Sequence, residues 1–196
     1  MAPAKHEQDI VVQIAQNFKG IDINPTKLKK LVKAVCKHFT RNEIRDTRYE
    51  ISIAIVNDAQ IRKVNKQFLN RVHSTDVISF DLSNDENQNS SLRELKTRPF
   101  NKLKAGSERS RRSKGRKLFE LVVNGEMAVK EAASRGHSDE AELALYITHG
   151  LLHNLGFDDS TPDKAQKMHD AEDEILQQHG YGLVYNKELN AQEQKG

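Results

Sequence analysis

The chain has 196 residues, a formal net charge of +3, 36% hydrophobic and 30% charged residues, and one cysteine. That balance suits one globular domain with polar appendages. No run approaches the roughly eighteen apolar residues of a membrane span, and the first residues lack a signal-like apolar core, so no membrane is expected and the expected compartment is the cytoplasm. With Cys36 alone, an internal disulfide and a thiolate metal cluster are both excluded.

Residues 1–8 read as a tail. Ile10, Val11, Val12 and Ile14 form a short strand pattern, and turn chemistry follows from Gly20 to Pro25. Asn24-Pro25 starts a helix in which Leu28, Leu31, Val32, Val35, Cys36 and Phe39 share one face. Its wet side is rich in lysine (Lys27, Lys29, Lys30, Lys33), and Cys36 on the apolar side points to burial rather than reactivity. Tyr49 to Val56 alternates as a half-buried strand. Asp58 is read as the cap of a second helix carrying Ile61, Val64, Phe68 and Leu69, and Thr75 to Phe80 as another strand.

From Asn84 to Leu118 the composition changes. Residues 93–117 hold eleven Lys or Arg against Glu94 and Glu108, a net of +9, which leaves −6 for the rest of the chain. A basic stretch with so little apolar content is expected to be a disordered arm over 84–118, interrupting a single domain that spans 1–196. Such an arm neutralises phosphates by counterion release, so RNA is the expected partner, contacted by Arg109, Arg111, Arg112, Lys114, Arg116 and Lys117. Phe100 and Phe119 are the only aromatics placed to stack on bases, so sequence readout is not indicated.

Order resumes with a strand at Glu120 to Val123 and a small-residue helix opened by Gly125. The next helix is mostly apolar (Leu143, Leu145, Ile147, Leu151, Leu152, Leu155), with Asp139 and Glu142 read as a capping-box start. Thr161-Pro162 begins a last helix bearing Ala165, Met168, Glu172, Ile175 and Leu176 and closed by Gly180. His169 and Asp170 on it are candidates to stand behind a ligand histidine, with surface positions the expected reading, and residues 184–196 read as a frayed end. Strands interleaved with four or five helices make an α+β or α/β fold with one sheet and the histidine-bearing helix central.

That helix carries the chemistry. His149 and His153 are four apart, so both imidazoles leave one face, one turn above the other. Spacing alone is weak, since eight histidines produce such a pair by chance roughly 0.3 times per chain. The surroundings strengthen it: Gly156 stops the helix, and the returning chain can bring Asp158 or Asp159 to a third coordination position. Three protein ligands and an open position for water is the pattern of a catalytic zinc site.

The segment from His149 to Asp159 resembles the H-G-x-L-H-L-x-G-Y-D-H signature of the YbeY family, bacterial metal-dependent endoribonucleases of ribosomal RNA maturation. His149, Gly150, Leu152, His153, Gly156 and Asp158 match it. Val64, Asn65, Phe68, Thr75, Asp76, Val77, Ser79 and Phe80 fall in register with a second family block. The resemblance covers roughly residues 49–82 and 120–178, and it implies a mixed four-stranded sheet packed with about five helices. It also implies one Zn2+ (or another divalent ion) held by His149, His153 and Asp159, with Asp158 behind them. Asp159 stands where the family has its third metal histidine, and Leu69 where it has an arginine thought to contact RNA phosphate. Arg71, two residues on, is the candidate for that phosphate contact.

The function these features predict is a single-strand-directed, metal-dependent endoribonuclease of ribosomal RNA maturation. The resemblance implies the small ribosomal subunit and an Era-type GTPase as partners. Loss of both family residues would instead fit a catalytically degenerate RNA- or ribosome-binding protein. A zinc protease of the H-E-x-x-H type requires a glutamate where this chain has Gly150.

Overall fold

A computed structural model describes residues 9–40, 47–83 and 115–185. They form the expected α+β fold, a single mixed sheet of four strands with five helices. The strands are β1 (Ile10–Gln16), β2 (Thr47–Val56), β3 (Val77–Asp81) and β4 (Gly115–Asn124). Their order across the sheet is β1-β2-β4-β3, with β1, β2 and β4 parallel and β3 antiparallel to β4. The helices are α1 (Pro25–Phe39), α2 (Asp58–Leu69), α3 (Gly125–Arg135), α4 (Asp139–Asn154) and α5 (Pro162–Gln178).

Period-two burial makes the sheet two-sided. Tyr49, Ile51, Ile53 and Ile55 of β2 and Phe119, Leu121 and Val123 of β4 face the main core with α1, α4 and α5. The opposite parity, Val56, Ile78 and Val122, meets Ile61 of α2 in a smaller cluster. Helix α4 is the centre of the molecule, touching β3, β4, α1, α3 and α5. Its Leu143, Ile147, Leu151 and Leu152 are fully buried, and each contributes roughly 1.5–3 kcal/mol relative to exposure. Cys36 is buried too, and that burial pushes its thiol up to about 12, which removes it from nucleophilic chemistry. No helix among the described residues is long and apolar enough to cross a membrane.

Local chemistry moves several expected boundaries. Asn57, not Asp58, caps α2: its side chain accepts from Gln60 N while Gln60 reaches back to Asn57 N. Ser138, not Asp139, caps α4. Glu142 is fully buried and faces His137 and Arg135 instead of a backbone amide. The third strand starts at Val77, and Ser74–Asp76 before it are tied down by Asn124. That buried amide donates to Asp58 Oδ1, Ser74 Oγ and Thr75 O while its own N–H bonds Asp76 O.

The largest shift concerns the basic arm. Gly115 to Leu118 are not arm but the first rungs of β4, paired with Thr47 to Glu50. Arg116 binds Glu50 at 2.7 Å, and Glu50 is also held by Arg48. Arg116 therefore spends its charge on a cross-strand carboxylate, and Lys117 has its backbone in the ladder. Arg109, Arg111, Arg112 and Lys114, with the expected disorder of 84–114, lie outside the described residues.

Candidate metal centre

Helix α4 ends in a Schellman motif. Phe157 N donates to Leu152 O and Gly156 N to His153 O, with Gly156 at φ +92. Phe157 then packs edge-on against Phe39 of α1, 5.1 Å between ring centres. The turn is thus closed by backbone bonds and anchored by an aromatic contact, and it returns the chain beside the last turn of α4.

Three side-chain atoms converge there. His149 Nε2 and His153 Nε2 are 3.2 Å apart. Asp159 Oδ2 lies 3.7 Å from His153 Nε2 and 4.0 Å from His149 Nε2. Ligands about 2.0–2.1 Å from a tetrahedral ion are separated by roughly 3.3 Å, so the triangle matches one divalent ion with a small adjustment of Asp159. That carboxylate is 44% exposed and free to make it.

Hydrogen bonding on the far side of each ring tests whether a cation fits. His153 Nδ1 is 3.2 Å from Phe157 O, and a carbonyl can only accept, so Nδ1 carries the proton. His149 Nδ1 is 2.8 Å from Glu172 Oε1, a carboxylate, with the same consequence. Both Nε2 atoms therefore present lone pairs to one point, an arrangement that repels itself unless a cation or proton lies between. Carboxylates reinforce this. Burial alone would lower the pKa of His149, but the hydrogen bond and charge of Glu172, with the charges of Asp76 and Asp159, reverse it and the net direction is upward. Positive charge is favoured at this spot.

Glu172 is the residue that sequence reasoning missed. Its side chain is 1% exposed, and its two oxygens bind His149 Nδ1 and His169 Nδ1 at 2.8 and 2.9 Å. A carboxylate behind a ligand histidine fixes ring and tautomer. The signal was available: Glu172 occupies an apolar position of α5, between Met168 and Ile175, where an unpaired carboxylate is costly. His169, read as a surface residue, is mostly covered and belongs to this network.

Asp158, expected behind the ligands, turns the other way. It accepts from Ser160 N, Ser160 Oγ and Lys164 Nζ, whose hydrogen bonds hold its carboxyl well below the usual range. It pins the start of α5, and Asp159 is left as the carboxylate facing the histidines. Arg71 sits on the exposed link after α2, between the exposed Leu69 and Val72, and its guanidinium makes no ion pair among the described residues.

Gly150 lies on the sheet side of α4. A Cβ there would stand 2.8 Å from Val77 Cγ2 and 3.2 Å from Leu121 Cδ2. The place that a metalloprotease of the H-E-x-x-H type gives to its glutamate is therefore filled by sheet side chains, and that chemistry is closed to this helix.

Comparison with known proteins identifies the family. The model of the family described as endoribonuclease YbeY matches residues 13–180. An endoribonuclease YbeY from an Exiguobacterium species is 30% identical over 167 residues, 84% of this chain and 94% of its own. One from Shouchella clausii is 28% identical over 172 residues, 88% of this chain and 98% of its own. One from a Thermoanaerobacter species is 28% identical over 154 residues, 79% and 89% respectively. From residue 13 to residue 180, through sheet, histidine helix and closing turn, the chain belongs to the endoribonuclease YbeY family.

Proposed function

We propose that this chain is a metal-dependent endoribonuclease that cuts single-stranded RNA during ribosomal RNA maturation, acting in the cytoplasm on the small ribosomal subunit. The observation that carries this reading is the convergence of His149 Nε2, His153 Nε2 and Asp159 Oδ2 on one point, with the far nitrogen of each ring held by an acceptor. His149, His153 and Asp159 hold the ion, with zinc favoured by two imidazoles and a third, harder oxygen ligand admitting other divalent metals. The ion, when bound, lowers the pKa of water and offsets phosphate charge. Glu172 keeps the Nδ1 proton on His149 and so keeps its Nε2 available. Phe157 O does the same for His153. The exposed Asp159 leaves one side open to solvent and to an RNA backbone.

Binding and chemistry are separable in this account. Residues 93–114 carry nine Lys or Arg against two Glu, a net of +7, and supply non-specific affinity. Deletion of 93–114, which spares all of β4, should weaken RNA binding and flatten the dependence of log affinity on log salt, by roughly 0.7 in slope per phosphate released. Turnover at saturating RNA should persist, because the deleted residues include no proposed metal ligand. Salt titration of binding to a single-stranded oligoribonucleotide checks this. An unchanged affinity and slope would make the segment a linker and assign RNA binding elsewhere on the surface.

A further inference from the structure

Only three large hydrophobic side chains among the described residues are notably exposed, Leu69, Val72 and Tyr185. Tyr185 is the one aromatic ring among them. Asp173, almost fully buried on α5, accepts hydrogen bonds from Val184 N and Tyr185 N, both 3.0 Å. Val184 is buried, so the chain here is fixed through its backbone and through a core side chain. The Tyr185 ring then lies flat on the imidazole of His169, 3.4 Å between centroids at 12°. His169 donates to Glu172 Oε2, and Glu172 Oε1 accepts a hydrogen bond from His149 Nδ1. Three short contacts therefore connect the ring to a proposed metal ligand. Phe119, an expected stacking aromatic, is buried in the sheet and cannot serve.

We infer that Tyr185 is a base-stacking platform, a positioning residue that holds one nucleobase of the RNA strand near the scissile phosphate; this deepens the nuclease reading and rests on it. A ring already stacked on one face is rigid, and its second face can accept a planar base with little loss of entropy. The 43% exposure of Tyr185 is what such a face requires. Stacking is tolerant of base identity. Recognition here would register the strand against the metal centre without reading its sequence.

The test uses the full chain and a short single-stranded oligoribonucleotide, with an abasic nucleotide or 2-aminopurine moved through its positions. Binding is read by rapid-mixing fluorescence before cleavage proceeds. In the unaltered protein one position should show quenched 2-aminopurine fluorescence, and an abasic nucleotide there should weaken binding roughly 5- to 100-fold. Tyr185→Leu, which still covers His169, should weaken binding of the intact oligonucleotide by the same factor and erase both the quench and the abasic penalty. Tyr185→Phe should keep them. An abasic penalty that persists in Tyr185→Leu, or no position-specific penalty in the unaltered protein, overturns the platform while leaving the nuclease reading intact. Failure of every RNA to bind overturns both.

Discussion

His149→Ala is expected to reduce RNA cleavage by at least roughly a thousandfold while leaving RNA affinity and its salt slope nearly unchanged. The metal contribution to phosphate hydrolysis is several kcal/mol, and each 1.36 kcal/mol is a factor of ten in rate. Losing Nε2 of His149 leaves one imidazole and one exposed carboxylate, too few to hold the ion. The fold should survive, since the side chain is 20% exposed and lies at the mouth of the site rather than in the main core. The buried Glu172 would keep its second partner, His169. Single-turnover cleavage and filter binding, measured on the same preparation, separate the two effects. Equal loss of binding and cleavage would mean that His149 holds RNA, not metal. Cleavage unaffected by the change would mean that the chain cuts through another site, and no cleavage by the unaltered chain would mean that it acts as a binding protein.

The second large effect is structural. Gly150→Glu should destabilise the protein by at least about 3 kcal/mol, because a Cβ already overlaps Val77 and Leu121 and overpacking alone costs about 1–3 kcal/mol. A carboxylate driven against the sheet adds the cost of an unpaired, partly buried charge. For a chain of this length that is a fall in melting temperature of roughly 10 °C. Gly150→Ala makes a useful contrast. It meets the same atoms with one methyl and gains about 1 kcal/mol of helix propensity, so its melting temperature should move by only a few degrees. Thermal denaturation followed by circular dichroism checks both. A Gly150→Glu protein as stable as the unaltered chain would mean that α4 can lift from the sheet, and the closed approach described above would be wrong.

What the sequence discloses and what it hides follow from the range of each interaction. The histidine pair, the glycine stop and the alternating strands are local: spacing, backbone conformation and period are all written within a turn or two of chain. The same holds for α1, whose Asn24 cap and Pro25 start are where the pattern puts them. Glu172 was hidden as a partner because its reason for being buried, His149, lies 23 residues away on another helix. The roles of Asp158 and Asp159 could not be separated by position either, since Lys164 and Ser160 decide them through contacts made only once α5 is in place. Basic residues misled in one place. Arg116 and Lys117 read as arm because charge dominated the window, whereas Glu50 on the neighbouring strand makes Arg116 a sheet residue. Tyr185 looked like part of a frayed end, and only the buried Asp173 shows why the chain is ordered there.

Metal stoichiometry tests the central claim most directly. The protein purified without chelator and analysed by inductively coupled plasma mass spectrometry should hold about one divalent ion per chain, with zinc predominant. Asp159→Ala and His153→Ala should lose it, while Asp158→Ala, whose carboxylate serves Ser160 and Lys164, should retain it. An unaltered protein that binds no divalent ion, or one whose ion survives Asp159→Ala and vanishes with Asp158→Ala, would contradict the site as assigned.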